Sequence, residues 1–291
     1  MSSQPGLAPR AWLAWSLAAV TVALSTTNPI YRGLVALAAL NVLLTWLPKG
    51  RRVRPLALAV VLAAAFAALV NVLASHTGVH VIVRLPSDWP LVGGPLTVES
   101  LAFGGALGLG LVAALLAVAP LSLVLEPHDV VDSMPGALER TGIAVATSLN
   151  LVGGLGRTFT AVRDAQTMRG WRPRGIRSWN EVLVPVVLTA IEDSVLLAEA
   201  MEARGFGAGR RTSYARSSWG KWESAVIAGA LGSAVLFIGI RLLGAPLDWY
   251  PYPTLAWPPI HPALVAGCLA LALPAFVPRR PPGRPTPGGA D

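Results

Sequence analysis

The chain has 291 residues, 54% of them hydrophobic and only 13% charged, with 23 Lys and Arg against 15 Asp and Glu for a net charge of +8. Soluble domains average about 45–50% apolar and about 25% charged residues, so a surface this poor in charge excludes an ordinary soluble enzyme, a disordered chain and a nucleic-acid-binding domain. With a mean hydropathy of +0.58, the remaining class is an all-α polytopic membrane protein.

The first apolar run, Ala11–Tyr31, is uncharged and follows Arg10. Leu24-Ser25-Thr26 offers no small-x-small cleavage site and further apolar runs follow, so the run reads as a retained membrane helix. Asn28-Pro29 breaks it, because a residue before proline avoids the helical region. Gly33–Pro48 is the second run, with Trp46 at an interface. Pro55–Val83 is the third; Pro55 suits a helix start, and the helix is expected to stop near Ser75. Arg84–Glu99 is a Pro/Gly-rich connection. Ser100–Leu125 is the fourth run, rich in Gly and Ala that permit close helix packing.

Two further runs, Ser224–Ile240 and about Trp257–Val277, bring the expected spans to about six, each needing about 20 residues to cross a core of roughly 30 Å. Basic residues fall in blocks between them: Lys49, Arg51, Arg52 and Arg54; eleven from Arg157 to Lys221; and Arg279, Arg280 and Arg284. The positive-inside rule puts these blocks and both termini on the cytoplasmic side of the plasma membrane. Trp249, Tyr250, Tyr252 and Trp257 fit an outer aromatic belt. The expected organisation is therefore four helices in 1–125, a cytoplasmic or interfacial region in 126–223, two helices in 224–278, and a disordered Pro/Arg/Gly tail in 279–291.

The middle region carries two apolar stretches, Thr141–Gly156 and Val182–Ile191, each followed by an amphipathic, charge-bearing stretch. Phe159, Val162, Ala165 and Met168 recur at three-residue steps; Leu188, Ile191, Val195, Leu196 and Ala198 make a similar face after Pro185, with Glu192, Asp193, Glu199 and Glu202 on the polar side. Such helices are expected along or beneath the membrane surface. Both end alike. Asp164-Ala165-Gln166-Thr167-Met168-Arg169-Gly170-Trp171 and Glu199-Ala200-Met201-Glu202-Ala203-Arg204-Gly205-Phe206 share the pattern acid-Ala-x-x-x-Arg-Gly-aromatic. Gly after a helix takes the left-handed conformation without a Cβ clash, and the preceding Arg projects a five-donor guanidinium beyond the negative end of the dipole. A single copy is an ordinary helix cap. Two matched copies suggest docking to a two-fold or pseudo-two-fold partner.

At these residues the sequence resembles the transmembrane T component of energy-coupling factor (ECF) transporters, the EcfT/CbiQ family, whose members carry two Ala-Arg-Gly signatures on cytoplasmic coupling helices. Ala203-Arg204-Gly205 matches fully; Met168-Arg169-Gly170 has Met in place of Ala. Met134-Pro135, Ala165-Gln166 and Gly207 fit the flanks. The resemblance implies a non-catalytic coupling subunit of an ABC-type importer for a vitamin or metal ion. It also implies two ABC-type ATPase subunits, each receiving one signature Arg, and a separate substrate-binding membrane S component.

No cofactor is expected. Gly205–Thr212 lacks the phosphate-loop spacing GxxxxGK[ST] and follows no strand pattern. Gly104-Gly105 with Gly108 and Gly110 reads as helix packing. Cys268 is the only cysteine and reads as a buried thiol. His76 and His80 sit at i, i+4, with no third metal ligand evident, and read as an external helix end; His128 and His261 are scattered. The competing class is an integral membrane transferase holding Mg²⁺ with Asp129, Asp132, Glu192 and Asp193, which leaves the duplicated endings unexplained.

Overall fold

A computed structural model describes residues 7–48, 50, 53–75, 77–84, 94–125, 139–173, 175–205, 220–244 and 247–278. The chain divides into two compact units, residues 1–126 with 218–291, and residues 127–217. The first unit contains α1 (Pro9–Leu24), α2 (Pro29–Trp46), α3 (Arg54–Ala74), the strands β1 (Val81–Arg84) and β2 (Pro95–Thr97), and α4 (Val98–Leu123). The second contributes α5 (Glu139–Met168) and α6 (Asn180–Ala203), and the first unit resumes with α7 (Lys221–Leu242) and α8 (Pro262–Ala270). Four helices, α2, α3, α4 and α7, are long and apolar enough to cross a membrane; α1, with 16 residues, is apolar but shorter.

Local chemistry sets the boundaries. Asn28 caps α2, its Oδ1 accepting the Ile30 N–H at 2.9 Å, with Pro29 at the first helical position. Thr97 caps α4 by accepting the Ser100 N–H at 3.2 Å. Either side of residues 85–93, which lie outside the described residues, β1 and β2 form an antiparallel ribbon pairing Val83 with Leu96 and Arg84 with Pro95, with an irregularity between Val81 and Val83. Fully buried Glu99 anchors it: the carboxylate accepts the His80 backbone N–H at 3.3 Å and lies 2.6 Å from His80 Nδ1. His80 thus precedes a strand and faces a carboxylate; it is not on a helix end. His76 lies outside the described residues.

The run 257–277 is not one continuous helix. It holds a nine-residue α8 followed by a 3-10 turn, Leu273–Phe276. Pro274 has no N–H for the Ala270 carbonyl, which stops the helix. Two indoles of the N-terminal hairpin serve the carbonyls of the break: Trp15 Nε1 donates to Leu271 O and Trp46 Nε1 to Pro274 O, both at 2.8 Å. Trp12 packs edge-on against both rings, at 6.1 and 5.6 Å. The opposite end of the unit is tied by the α1–α2 turn. Thr27 N–H donates to Asp248 Oδ1 at 3.1 Å, Asn28 Nδ2 to Pro259 O at 2.7 Å, and the His261 N–H to the Tyr31 hydroxyl at 2.7 Å. Within the first unit, residues 125 and 220 both stand at the tryptophan end, since α4 starts and α7 finishes at the other.

Between these ends the helices meet through small residues. A Cβ on Gly104 would lie 2.9 Å from Ala68 O, and one on Gly108 2.8 Å from Ala64 O, so α3 and α4 touch backbone to backbone. Arg32, a charge between the first two apolar runs that falls inside α2, is buried; it donates from Nε to Ala23 O at 3.3 Å and from Nη1 to Ala106 O at 2.7 Å. Ala23 is one of the last α1 residues, whose carbonyls lack helical partners, so the guanidinium fastens α1, α2 and α4 together.

Candidate functional site

In the second unit, each apolar stretch is continuous with the charged stretch after it: α5 has 30 residues and α6 has 24, joined through a 3-10 turn at Ile176–Trp179. They form an antiparallel hairpin. Gln166 meets Glu181 beside the turn, and farther along Leu151, Leu155 and Thr158 share a groove with Ala190, Asp193 and Ser194.

A small core holds the turn. Trp171, Val182 and Val186 are buried, with Phe159, Val162 and Trp179 packed against them. Trp179 stacks on Phe159 at 6.2 Å and 9°, and meets Trp171 edge-on at 5.4 Å. Trp171 Nε1 donates to Ser178 O at 2.9 Å. Pro185 lies inside α6 and gives no N–H to the Glu181 carbonyl. Gln166 Nε2 supplies the missing bond at 3.2 Å. The side chain beside the first signature thus repairs the helix that carries the second.

The predicted apolar face of α5 needs correction. Phe159 and Val162 enter the core, but Ala165 is exposed and Met168 is 84% exposed. Three-residue steps fall about 60° short of a full turn each time, so by Met168 the face has swung to the opposite side, and Gln166 occupies the inward position. On α6 the buried residues are Val182 and Val186, while Leu188, Ile191, Val195 and Leu196 are each more than half exposed, and Ala198 is exposed too.

The two helix ends share a geometry. In α5, Gly170 has φ of +88°, its N–H donating to Thr167 O at 3.0 Å and the Trp171 N–H to Gln166 O at 2.9 Å. This is the paired 5→2 and 6→1 bonding of a Schellman cap. In α6, Gly205 has φ of +76°, with its N–H donating to Glu202 O at 2.9 Å. Phe206, the next residue of the pattern, lies outside the described residues. Arg169 and Arg204 are exposed, with no ion pair formed by either among the described residues. Met168, Ala203, Asp164, Ala165, Glu199 and Ala200 are also exposed. Each acid precedes its Arg by five positions, about 140° around the helix, and does not share its face. The tips stand apart. Arg169 sits beside the start of α6 and Arg204 at its end, about 35 Å away at 1.5 Å per residue.

Glu192 and Asp193 are exposed on α6, whereas Asp129, Asp132, His128, Met134, Pro135 and Gly207 lie outside the described residues. Among the described residues no cluster of three His, Cys, Asp or Glu is arranged to hold a metal. Trp179 escaped the sequence analysis. Its signal was its spacing, eight residues after Trp171 across a Pro/Gly link. Gln166 was noted only as a flank, since its bond to Glu181 O depends on how the helices approach.

No curated protein matches the chain. The family model described as "CbiQ: Cobalt transport protein" matches residues 2–214, which take in α1 to α6 and both Arg-Gly ends. Four span-length apolar helices and this match together show a membrane transport component: the chain belongs to the CbiQ cobalt transport protein family.

Proposed function

We propose that the chain is the coupling subunit of an ECF-type importer. Arg169 and Arg204, with the flanking Met168, Gly170, Ala203 and Gly205, dock onto two ABC-type ATPase subunits, and a separate membrane S component captures the cargo, a metal ion such as cobalt or a vitamin. The observation that carries this reading is the pair of matched helix ends. Each leaves an exposed guanidinium at a helix C-terminus, and the two stand about one α6 length apart. Two separated cationic tips suit two partner subunits. The basic blocks support a cytoplasmic location for this unit and for both termini. ATP hydrolysis belongs to the partners, whose closure would move the Arg tips and, through α5 and α6, reorient the S component. The exposed apolar stripe Val184, Val187, Leu188, Ile191 and Val195 suits a hydrophobic partner or the bilayer surface.

Affinity purification in mild detergent tests the reading. The wild-type chain should bring down two P-loop ATPase subunits. Removing one member of a desolvated, hydrogen-bonded charge contact costs about 2–5 kcal/mol, so Arg169→Ala and Arg204→Ala should each weaken ATPase recovery and transport. The double variant should lose both while still inserting in the membrane. Lys should rescue poorly, because it lacks the planar fork. Normal transport and ATPase recovery by the double Ala variant would reduce both residues to helix caps.

A further inference from the structure

In α4, a Cβ on Gly104 or Gly108 would meet an α3 carbonyl, so close packing accounts for both glycines. Packing within this chain does not account for the glycines of α5. Gly153, Gly154 and Gly156 fall within four consecutive positions, and a Cβ on any of them would meet no atom within 4 Å among the described residues. Open glycines also occur in α4 and α7, at Gly105, Gly232 and Gly239, but singly. A helix-interior glycine lowers the helical state about fourfold to fivefold relative to alanine, and little else holds α5 together here. Val152, Leu155 and Arg157 are exposed, and Leu151 and Thr158 are half-buried. The Thr160 hydroxyl donates to Gly156 O at 2.9 Å, a back-bond of the kind that bends helices.

Across the groove, Ala190, Asp193 and Ser194 of α6 face Leu151, Leu155 and Thr158. Ser194 Oγ makes the same back-bond, to Ala190 O at 2.7 Å, and no described residue of α6 after Val186 is buried. Both arms are therefore weakest at one level, just where the turn core ends. That core, from Phe159 to Val186, is held by Trp171, Val182 and Trp179. Segments with few buried contacts open before the rest of a fold.

We infer that the hairpin is jointed at this level: the body from Phe159 to Val186, which carries Arg169, swings as one piece about Gly153–Gly156 of α5 and Ala190–Ser194 of α6. Arg204 lies ten residues beyond the α6 joint, so the two guanidiniums stand on opposite sides of it and bending changes the distance between them. The groove between the arms gives them room to close. The joint takes its purpose from the proposed coupling role, since it lets two docked ATPase subunits move relative to each other without either letting go of its arginine.

The test uses the full tagged chain, purified in mild detergent with the subunits it recovers. The N–H groups of residues 157–160 donate to the carbonyls of residues 153–156, so their hydrogen exchange reads the joint. Gly153→Ala, Gly154→Ala and Gly156→Ala combined introduce no clash, and the variant should fold as wild type does. Exchange at 157–160 should slow about 60- to 120-fold in the triple variant and about fourfold to fivefold in Gly156→Ala alone, with exchange at Val182 and Val186 unchanged. ATPase recovery should match wild type, because both arginines and both caps are intact, whereas transport should be largely lost. Unchanged exchange at 157–160, or wild-type transport by the triple variant, would overturn the inference. So would loss of a membrane subunit from the purified triple variant, which would make the glycines a seat for a partner helix. A wild-type chain that recovers no ATPase would sink the coupling reading instead, and the exchange measurement would still decide the joint.

Discussion

Trp171 offers the sharpest probe of whether the first arginine is held in place or merely present. It is 9% exposed and belongs to a core whose other buried members are Val182 and Val186. Truncation to Ala removes the largest of these side chains, its edge contact with Trp179 and its bond to Ser178 O. Buried aromatic-to-alanine changes cost about 3–5 kcal/mol, and a three-residue core has little else to compensate. Proteases need several residues in extended form, so a 3-10 turn is cut only when it opens locally. Arg177 is exposed inside that turn, and trypsin cleavage after it reports the opening. With opening fast relative to cleavage, a loss of about 3–5 kcal/mol raises the cleavage rate by about 10²- to nearly 10⁴-fold. Trp171→Phe, which keeps most of the ring but loses the indole bond of about 1 kcal/mol, should raise it only about fivefold. Trp171→Ala should also match Arg169→Ala in ATPase recovery although the arginine is intact. Cleavage of Trp171→Ala at the wild-type rate would show that this core does not hold the turn.

Gly170 and Gly205 make a second test, because an added Cβ at either would meet no atom within 4 Å while φ is +88° and +76°. Any penalty is therefore conformational: Val in the left-handed region costs at least about 1–2 kcal/mol, so Gly→Val at either site should reduce ATPase recovery, Gly→Asn should be tolerated, and equal recovery for Val and Asn would refute the left-handed cap. A third compares two glycines of α4. Gly105→Ala points into open space and should stabilise by up to about 1 kcal/mol through helix propensity, whereas Gly108→Ala drives a Cβ to 2.8 Å from Ala64 O and should destabilise by about 1–3 kcal/mol; detergent-titrated unfolding reads the two opposite signs, and the same sign for both would mean that the α3–α4 approach is looser than described.

The all-α membrane class and the matched helix ends were legible because each follows from strong local signals: uncharged runs of span length and a positive-φ glycine after arginine. The break at Asn28-Pro29 was legible for the same reason. What escaped depends on which groups meet across the fold. The run 257–277 has the hydropathy of a span, yet Pro274 interrupts it. The turn that follows lasts because indoles 256 and 228 residues away in sequence serve its carbonyls. The three-residue periodicity in α5 misled for geometric reasons, since real helices turn every 3.6 residues. Arg32 was passed over because a charge at the edge of an apolar run reads as a boundary, whereas here it fills a capping need of the preceding helix.

These polar ties also set which part of the membrane unit can move. Between helices in lipid, apolar burial gives no net drive, since acyl chains contact leucine as well as leucine does. Attachment then rests on close packing and on hydrogen bonds. Helices α1, α2 and α4 share the Arg32 guanidinium. The α1–α2 hairpin is bonded at one end to Asp248, Trp249 and Pro259 and at the other to Leu271 and Pro274. Helix α3 has no buried residue, and its close contacts to α4 run through Ala64 and Ala68 against two glycines. Just past its C-terminal end, the Ser75 and Tyr252 hydroxyls lie 3.0 Å apart. Breaking a carbonyl–guanidinium bond in hydrocarbon leaves a charge unsolvated, at several kcal/mol; sliding Ala past Gly exposes only apolar atoms that lipid covers. Helix α3 is therefore held to α4 by close backbone packing through small residues rather than by buried polar ties.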